Sequence, residues 1–172
     1  MRPLFETSQK HPHFMEMHGP CEAWALLEAK AGQVDRMRTL FRSALSANPR
    51  SIPTLHAWAC QEARLATPES RETARGLFVK CLEVQPGCVQ ALQAYACLER
   101  QQGNLAKARS LLSLALSAQL GNAASLQQAA QVEEALGNAA SAHELFVQAN
   151  RADRMVARRR RGMYESAKEG RQ

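Results

Sequence analysis

Apolar residues return along most of the chain at three- and four-residue intervals, the period of helices that bury one face. The stretch AYACLERQQGNLAKARSLLSLAL, residues 94–116, shows the arrangement in full. Tyr95 opens an apolar helical face, Gly103 interrupts it, and a second apolar helix runs through Ala108, Leu111, Leu112 and Ala115. Glycine suits the left-handed residue that ends a helix. One residue breaks the pattern. Glu99 falls one turn after Tyr95, on the apolar face itself.

The same phrase recurs. Glu28, Glu62, Glu99 and Glu133 mark its four copies at a constant interval, except that the middle one is three residues longer. Trp24, Trp58, Tyr95 and Ala129 stand four residues before them, and Ala25, Ala59, Ala96 and Ala130 three before. Arg38, Arg109 and His143 follow Glu28, Glu99 and Glu133 by ten residues, whereas Arg75 follows Glu62 by thirteen. Pairs of large apolar residues come next, Leu40-Phe41, Leu77-Phe78, Leu111-Leu112 and Leu145-Phe146. Pro49 and Pro86 then stop two of the second helices, while Leu120 and Arg154 occupy that place in the other two. The second copy lacks the glycine and has Thr67-Pro68 instead. That pair is an N-cap followed by proline at the first helical position, which predicts a second helix about one turn longer.

This periodicity predicts an all-α protein: a right-handed α-α superhelical solenoid of four helix pairs over residues 21–151, divided as 21–51, 52–87, 88–121 and 122–151. Residues 1–20 form a half-repeat remnant and linker, because Arg2, Leu4, Phe5 and Ser8 keep the second-helix spacing. Either the chain is part of a longer array, or this half-unit is its cap. Residues 152–172 form a basic C-terminal helix or tail.

Charge sharpens this division. The chain carries a formal net charge of +6, and residues 151–172 hold eight of its 22 Lys and Arg against three of its 16 Asp and Glu. The body is close to neutral, and the basic character lies in the tail with Arg158, Arg159, Arg160 and Arg161 at its centre. Such a run can contact nucleic acid, address a protein to the nucleus, anchor to an anionic surface, or end a helix in solvent. Five cysteines without a C-x-x-C pair read as small packing residues in a reducing intracellular compartment. No apolar run approaches membrane-spanning length, and MRPLFETSQKHPHF has no signal-peptide core. His11, His13, His18 and Cys21 fit no common zinc spacing, so no metal site is expected. No phosphate loop, dinucleotide fingerprint or nucleophile elbow occurs, so neither cofactor nor catalysis is expected.

The phrases Ala23-Trp24-Ala25-Leu26-Leu27-Glu28-Ala29 and His56-Ala57-Trp58-Ala59-Cys60-Gln61-Glu62-Ala63 resemble the tetratricopeptide superfamily. More narrowly they resemble its half-a-tetratricopeptide branch, in which glutamate follows tryptophan by one turn and a basic residue opens the second helix. Within that branch they look most like the plastid RNA-stability proteins, although splicing and polyadenylation factors share the motif. The resemblance covers about residues 21–150 and is weakest in the fourth copy, where Ala129 and His143 replace the aromatic and arginine. It implies a non-enzymatic module in RNA processing or stability that binds single-stranded RNA, in a plastid. The alternative it implies is a protein–protein scaffold of a nuclear RNA-processing complex.

Two sets of side chains follow as candidates. Glu28, Glu62 and Glu99 would pair with Arg38, Arg75 and Arg109 between the two helices of each unit, since a buried carboxylate needs a partner; the competing reading is that these groups bind ligand. On the concave face Lys30, His56, Arg64, Gln90, Gln93, Arg100, Gln101, Gln127 and Gln131 would track a phosphate backbone and meet base edges, or simply form a solvated face. The near-neutral body and scarce aromatics limit what those repeats alone can hold.

Overall fold

The computed structural model describes the backbone of residues 18–169 and the side chains of residues 21–158 and 161. The expected N-terminal half-unit lies outside the described residues, as do the side chains of His18, Arg159, Arg160, Met163, Tyr164 and Ala167.

Among the described residues the regular structure is helical throughout: α1 (His18–Lys30), α2 (Val34–Ala47), α3 (Ile52–Leu65), α4 (Pro68–Val84), α5 (Val89–Gln101), α6 (Leu105–Ala118), α7 (Ala123–Ala135) and α8 (Ala139–Glu169). They form two compact units, one of α1 to α4 and one of α5 to α8, divided between Pro86 and Gly87. In the first, α1 packs on α2 and α3 on α4, with α3 also resting on α2 and α1. In the second, α5 packs on α6 and α7 on α8, with α7 also resting on α6 and α5.

The turns explain the pairing. Gly32, Gly103 and Gly137 adopt φ of 73°, 77° and 84°, the left-handed region open to glycine. This geometry turns the next amide back. Gln33, Asn104 and Asn138 each donate to the carbonyl of the register glutamate five residues earlier, at 2.9 Å in all three. The second pair has no glycine there, and Ala66 itself takes φ 57°. Thr67 then caps α4, its hydroxyl accepting from the Ser70 amide at 3.1 Å, as threonine does at a helix start. The helix α4 runs 17 residues against 14 in α2 and α6.

Small residues let the helices approach, and large ones fill the space between. Ala25, Ala59, Ala74, Ala91, Ala108, Ala115 and Ala130 are wholly or almost wholly buried, as are Phe41, Leu55 and Phe78 in the first unit and Leu92, Leu98 and Leu112 in the second. Cys81 is buried where Ala44 stands in the first pair, in keeping with its reading as a packing residue. Met37 takes the place alanine holds in the other pairs and is also buried, since an unbranched thioether fits an irregular gap.

α8 corrects the expected boundary at residue 152. It continues unbroken for 31 residues, about 46 Å at the usual helical rise. Arg154 stands where Pro49 and Pro86 close the earlier second helices, and nothing replaces the stop that proline imposes. After α6, Leu120 stands in the proline's place, but Gly121 with φ 70° supplies the turn instead.

Ala66 holds a left-handed conformation that costs a residue with a Cβ about 1–2 kcal/mol. Ala66→Gly is therefore expected to stabilise the protein by about 1 kcal/mol, and Gly103→Ala to destabilise it by a similar amount, measured as shifts in urea midpoint at unchanged slope.

Candidate functional site

The register glutamates are the chemical centre of each helix pair. Glu62 and Glu99 are fully buried, and Glu133 keeps 5% of its surface. A carboxylate cannot be buried at tolerable cost without donors around it, and each has them.

Around Glu62 the donors come from three helices. Arg38 on α2 reaches it through two parallel bonds, Nε to Oε1 at 2.8 Å and the terminal nitrogen to Oε2 at 2.9 Å. The Trp58 indole nitrogen, one turn back on α3, donates to the same Oε1 at 3.0 Å. Ser70 on α4 accepts from the arginine at 3.2 Å and from Thr67 at 2.8 Å, and its own hydroxyl bonds Glu62. Trp58 in turn lies flat on Phe41 of α2, with ring centres 5.8 Å apart and planes 6° from parallel. Burial works to raise the Glu62 carboxyl, but the bonds from Arg38 and Trp58, with the arginine's charge, outweigh it and hold the group below its ordinary range.

The second unit repeats the plan with other donors. Glu99 accepts from Asn104 at 2.6 Å and from Lys107 at 2.9 Å. The Lys107 ammonium also lies 4.7 Å from the centre of the Tyr95 ring, close enough for attraction to the ring's face. Glu133 accepts from Asn138 at 2.7 Å and forms an ion pair with Arg109, whose Nε lies 2.6 Å from Oε1. Arg109 remains 61% exposed, three times as much as Arg38 at 20%.

These contacts overturn the expected pairing inside each unit. Arg38 serves Glu62 of the next pair, not Glu28, and Arg109 serves Glu133 of the next pair, not Glu99. Glu28 lies instead 3.8 Å from Arg36, and Arg75 pairs with Glu72 on its own helix. The reason is helical geometry. Positions eight and ten residues after the glutamate lie two residues apart, so they point roughly 200° apart around the second helix. Position eight (Arg36, Ser70, Lys107) faces the first helix of its own pair, and position ten in α2 and α6 faces the first helix of the next. The exposed His143 occupies position ten of the fourth pair. The sequence reading missed positions five and eight altogether. Gly103-Asn104 and Gly137-Asn138, the same dipeptide at the same place in two copies, were the signal for the former.

Several candidates for an RNA-facing ladder make bonds within the fold. The Gln93 amide donates to Asn122 at 2.9 Å and to Ser125 at 2.7 Å, tying α5 to the start of α7. At the same position of the first pair, Glu22 accepts from Thr54 at 3.3 Å and ties α1 to α3. His56 is half-buried, tilted against Phe78 at 6.4 Å and adjacent to Cys60. Gln127 reaches Asp153 at 3.4 Å. Gln90, Gln101 and Gln131 stay exposed, and Arg100 is half-buried at the end of α5.

Three features remain open to a partner. Lys30 and Arg64 line one groove of about 210 Å³ with Met37, Gln61 and Leu65. Arg151, Arg154, Arg158 and Arg161 are all exposed along α8, and their spacing of three, four and three residues sets them in one stripe. A second groove, of about 320 Å³, lies among α6, α7 and α8, lined by Arg109, Leu116, Leu120, Ala129, Glu133 and Leu145 among others. Leu120 in its lining is 88% exposed, and Leu114, in a neighbouring depression with Arg109 and Ser113, is 57% exposed. Among the described residues no His, Cys, Asp and Glu side chains gather as metal ligands, and no helix is long and apolar enough to cross a membrane.

No family model matches the chain, and no curated protein matches it. Solved structures do. The chain is similar to MamA, with TM-score 0.71 and 11% identity over 82% of this chain and 81% of that one. It is similar to PilF of Pseudomonas aeruginosa, with TM-score 0.68 and 19% identity over 80% of this chain and 61% of that one. It is similar to PilW, a type IV pilus biogenesis factor, with TM-score 0.63 and 21% identity over 77% of this chain and 62% of that one. The likeness is to the broad tetratricopeptide-like fold, an all-α solenoid of helix pairs.

Because Glu62 titrates below its ordinary value of 4.5, its contribution to stability is full above that value and is lost as pH falls through the lower folded value. Glu62→Gln is expected to cost about 3 kcal/mol near neutral pH, and the gap from the unmodified protein should narrow below about pH 4. Arg109→Ala, breaking a more exposed pair, should cost under about 1 kcal/mol. Urea denaturation at a series of pH values measures all three.

Proposed function

We propose that the protein is a non-enzymatic repeat scaffold that binds a protein partner. The observation that carries this reading is the division of labour among side chains. The repeated glutamates and the donors around them are consumed in holding helix pairs together, while the second unit leaves leucines at its surface. Leu120 stands in solvent at the groove that Leu116 and Leu145 also line, and Leu114 is exposed in a neighbouring depression that shares Arg109 and Ser113 with it. Exposed apolar surface around a groove marks protein recognition more often than catalysis or phosphate binding. The tetratricopeptide-like fold supports the same reading, because stacked helix pairs present extended faces to partners.

A second reading rests on the arginine stripe of α8. Four guanidinium groups along one helix face fit an anionic strand, and the half-a-tetratricopeptide resemblance makes single-stranded RNA the strand of choice. The RNA-processing context, with a plastid or nuclear location, belongs to this reading. In it the tail is the main contact and Lys30 and Arg64 add to it. Gln93 and His56 also make contacts within the fold.

Peptides selected from a random library on the full chain test the first reading. The double variant Leu114→Asp/Leu120→Asp should weaken them at least about tenfold, a loss of about 1.4 kcal/mol; affinity unchanged by both substitutions would remove the groove from the reading. For the second, RNA affinity is measured against salt with Arg154, Arg158 and Arg161 changed to Gln. Each lost phosphate contact should lower the slope of log K against log salt by about 0.7, and an unchanged slope means the stripe does not touch phosphate.

A further inference from the structure

The groove among α6, α7 and α8 has an unusual origin: it is the place of an aromatic side chain that the fourth helix pair lacks. Four residues before each register glutamate stand Trp24, Trp58 and Tyr95, but Ala129 stands there in α7. The second pair shows what the slot holds when filled. The Trp58 indole lies between α2 and α3, stacked on Phe41, with its N–H directed at Oε1 of Glu62, an oxygen that also takes Arg38 Nε. In the fourth pair the polar frame is kept and the ring is missing. Arg109 Nε forms an ion pair with Oε1 of Glu133, the oxygen that takes Arg38 Nε in Glu62, and Asn138 donates to Oε2. Leu112 stands where Phe41 does, three residues after the arginine.

What the shortened side chain leaves is a groove of about 320 Å³ bounded by Leu116, Leu120 and Leu145, with Glu133 and Arg109 in its wall. That size is at the small end of ligand pockets, which run about 300–1,000 Å³. Leucine and alanine make half of its lining, with Ser113 and Ser117 among the rest, and its polar wall offers a carboxylate oxygen paired with Arg109 alone where the matching oxygen of Glu62 takes both Arg38 and Trp58. A carboxylate oxygen has room for two donors. The complement to such a wall is a flat apolar ring that carries a single N–H.

Resting on the scaffold reading above, we infer that this groove receives an indole, the tryptophan side chain of a protein partner, in the slot left by Ala129, with its N–H donated to Glu133. The partner thereby supplies in trans the ring that Trp58 supplies within the chain. Tryptophan is well suited to anchor an interface in this way, because it buries a large rigid surface at low cost in side-chain entropy. The exposed Leu120 lies at the rim, where it can cover the ring's outer face.

The test uses N-acetyl-L-tryptophanamide as the probe on the full chain, followed by amide chemical shifts. Saturable shifts are expected at Ser113, Ser117, Ala129 and Leu145. The 1-methylindole analogue, which lacks the N–H, should bind about tenfold more weakly, since a hydrogen bond to a charged group is lost. Ala129→Trp should fill the slot from within, abolish the shifts and raise the melting temperature. The proposal is overturned if N-acetyl-L-leucinamide or the methylated analogue binds as tightly as the tryptophan probe, or if the shifts map away from the groove or never saturate. The probe comparison is made on the unmodified protein, so it stands whether or not the Ala129→Trp chain folds. Library-selected peptides that lack tryptophan but lose affinity on Leu114→Asp/Leu120→Asp would overturn the indole slot while leaving the scaffold reading in place.

Discussion

Glu62 carries a carboxylate into a place with no solvent contact, and the helices around it are arranged to answer that charge. Arg38 comes from the preceding helix pair, Trp58 from the same helix, and Ser70 from the helix that follows. Removing any one donor leaves a buried charge short of partners, a larger loss than the worth of the bond itself. The clasp therefore acts as a lock on orientation. It fixes where α2, α3 and α4 can sit relative to one another while the surrounding apolar contacts, which have no direction, supply the bulk of the attraction.

The same lock is built differently at each place, according to which donor the local sequence provides. Where the turn reads Gly-Asn, the asparagine side chain folds back onto the glutamate whose backbone carbonyl its own amide already occupies. Where the turn reads Ala-Thr-Pro, Thr67 orients Ser70 instead. Lys107 does at Glu99 what Ser70 does at Glu62, and adds contact with the face of Tyr95. One geometry with several chemical solutions is expected of a stacked array, in which each interface is a local problem between neighbours.

Function falls to what the clasps leave over. Gln93 and Glu22 look on a helical wheel like exposed polar side chains, yet they bond across to the next first helix and belong to the frame. The departures from the repeat are more informative about partners than its regular positions. Leu120 in place of proline, Ala129 in place of an aromatic, and Arg154 in place of a helix stop together give the second unit its groove, its exposed leucines and the extended arginine-bearing helix.

The helical class, the glycine turns, the Thr67 cap and the longer α4 were legible in the sequence, because each rests on local rules: the helical period, the left-handed freedom of glycine, and the capping chemistry of threonine and proline. The need of Glu62 and Glu99 for partners was legible too, since a carboxylate on an apolar face requires donors. Which donors answer was decided only by tertiary structure. Two positions on one helix, eight and ten residues from the glutamate, face opposite neighbours, and spacing along the chain does not say which neighbour lies on which side. For the same reason Ala129 reads in the sequence as a weak fourth copy. Only the packing of α6, α7 and α8 around the missing ring turns that weakness into a groove walled by Glu133.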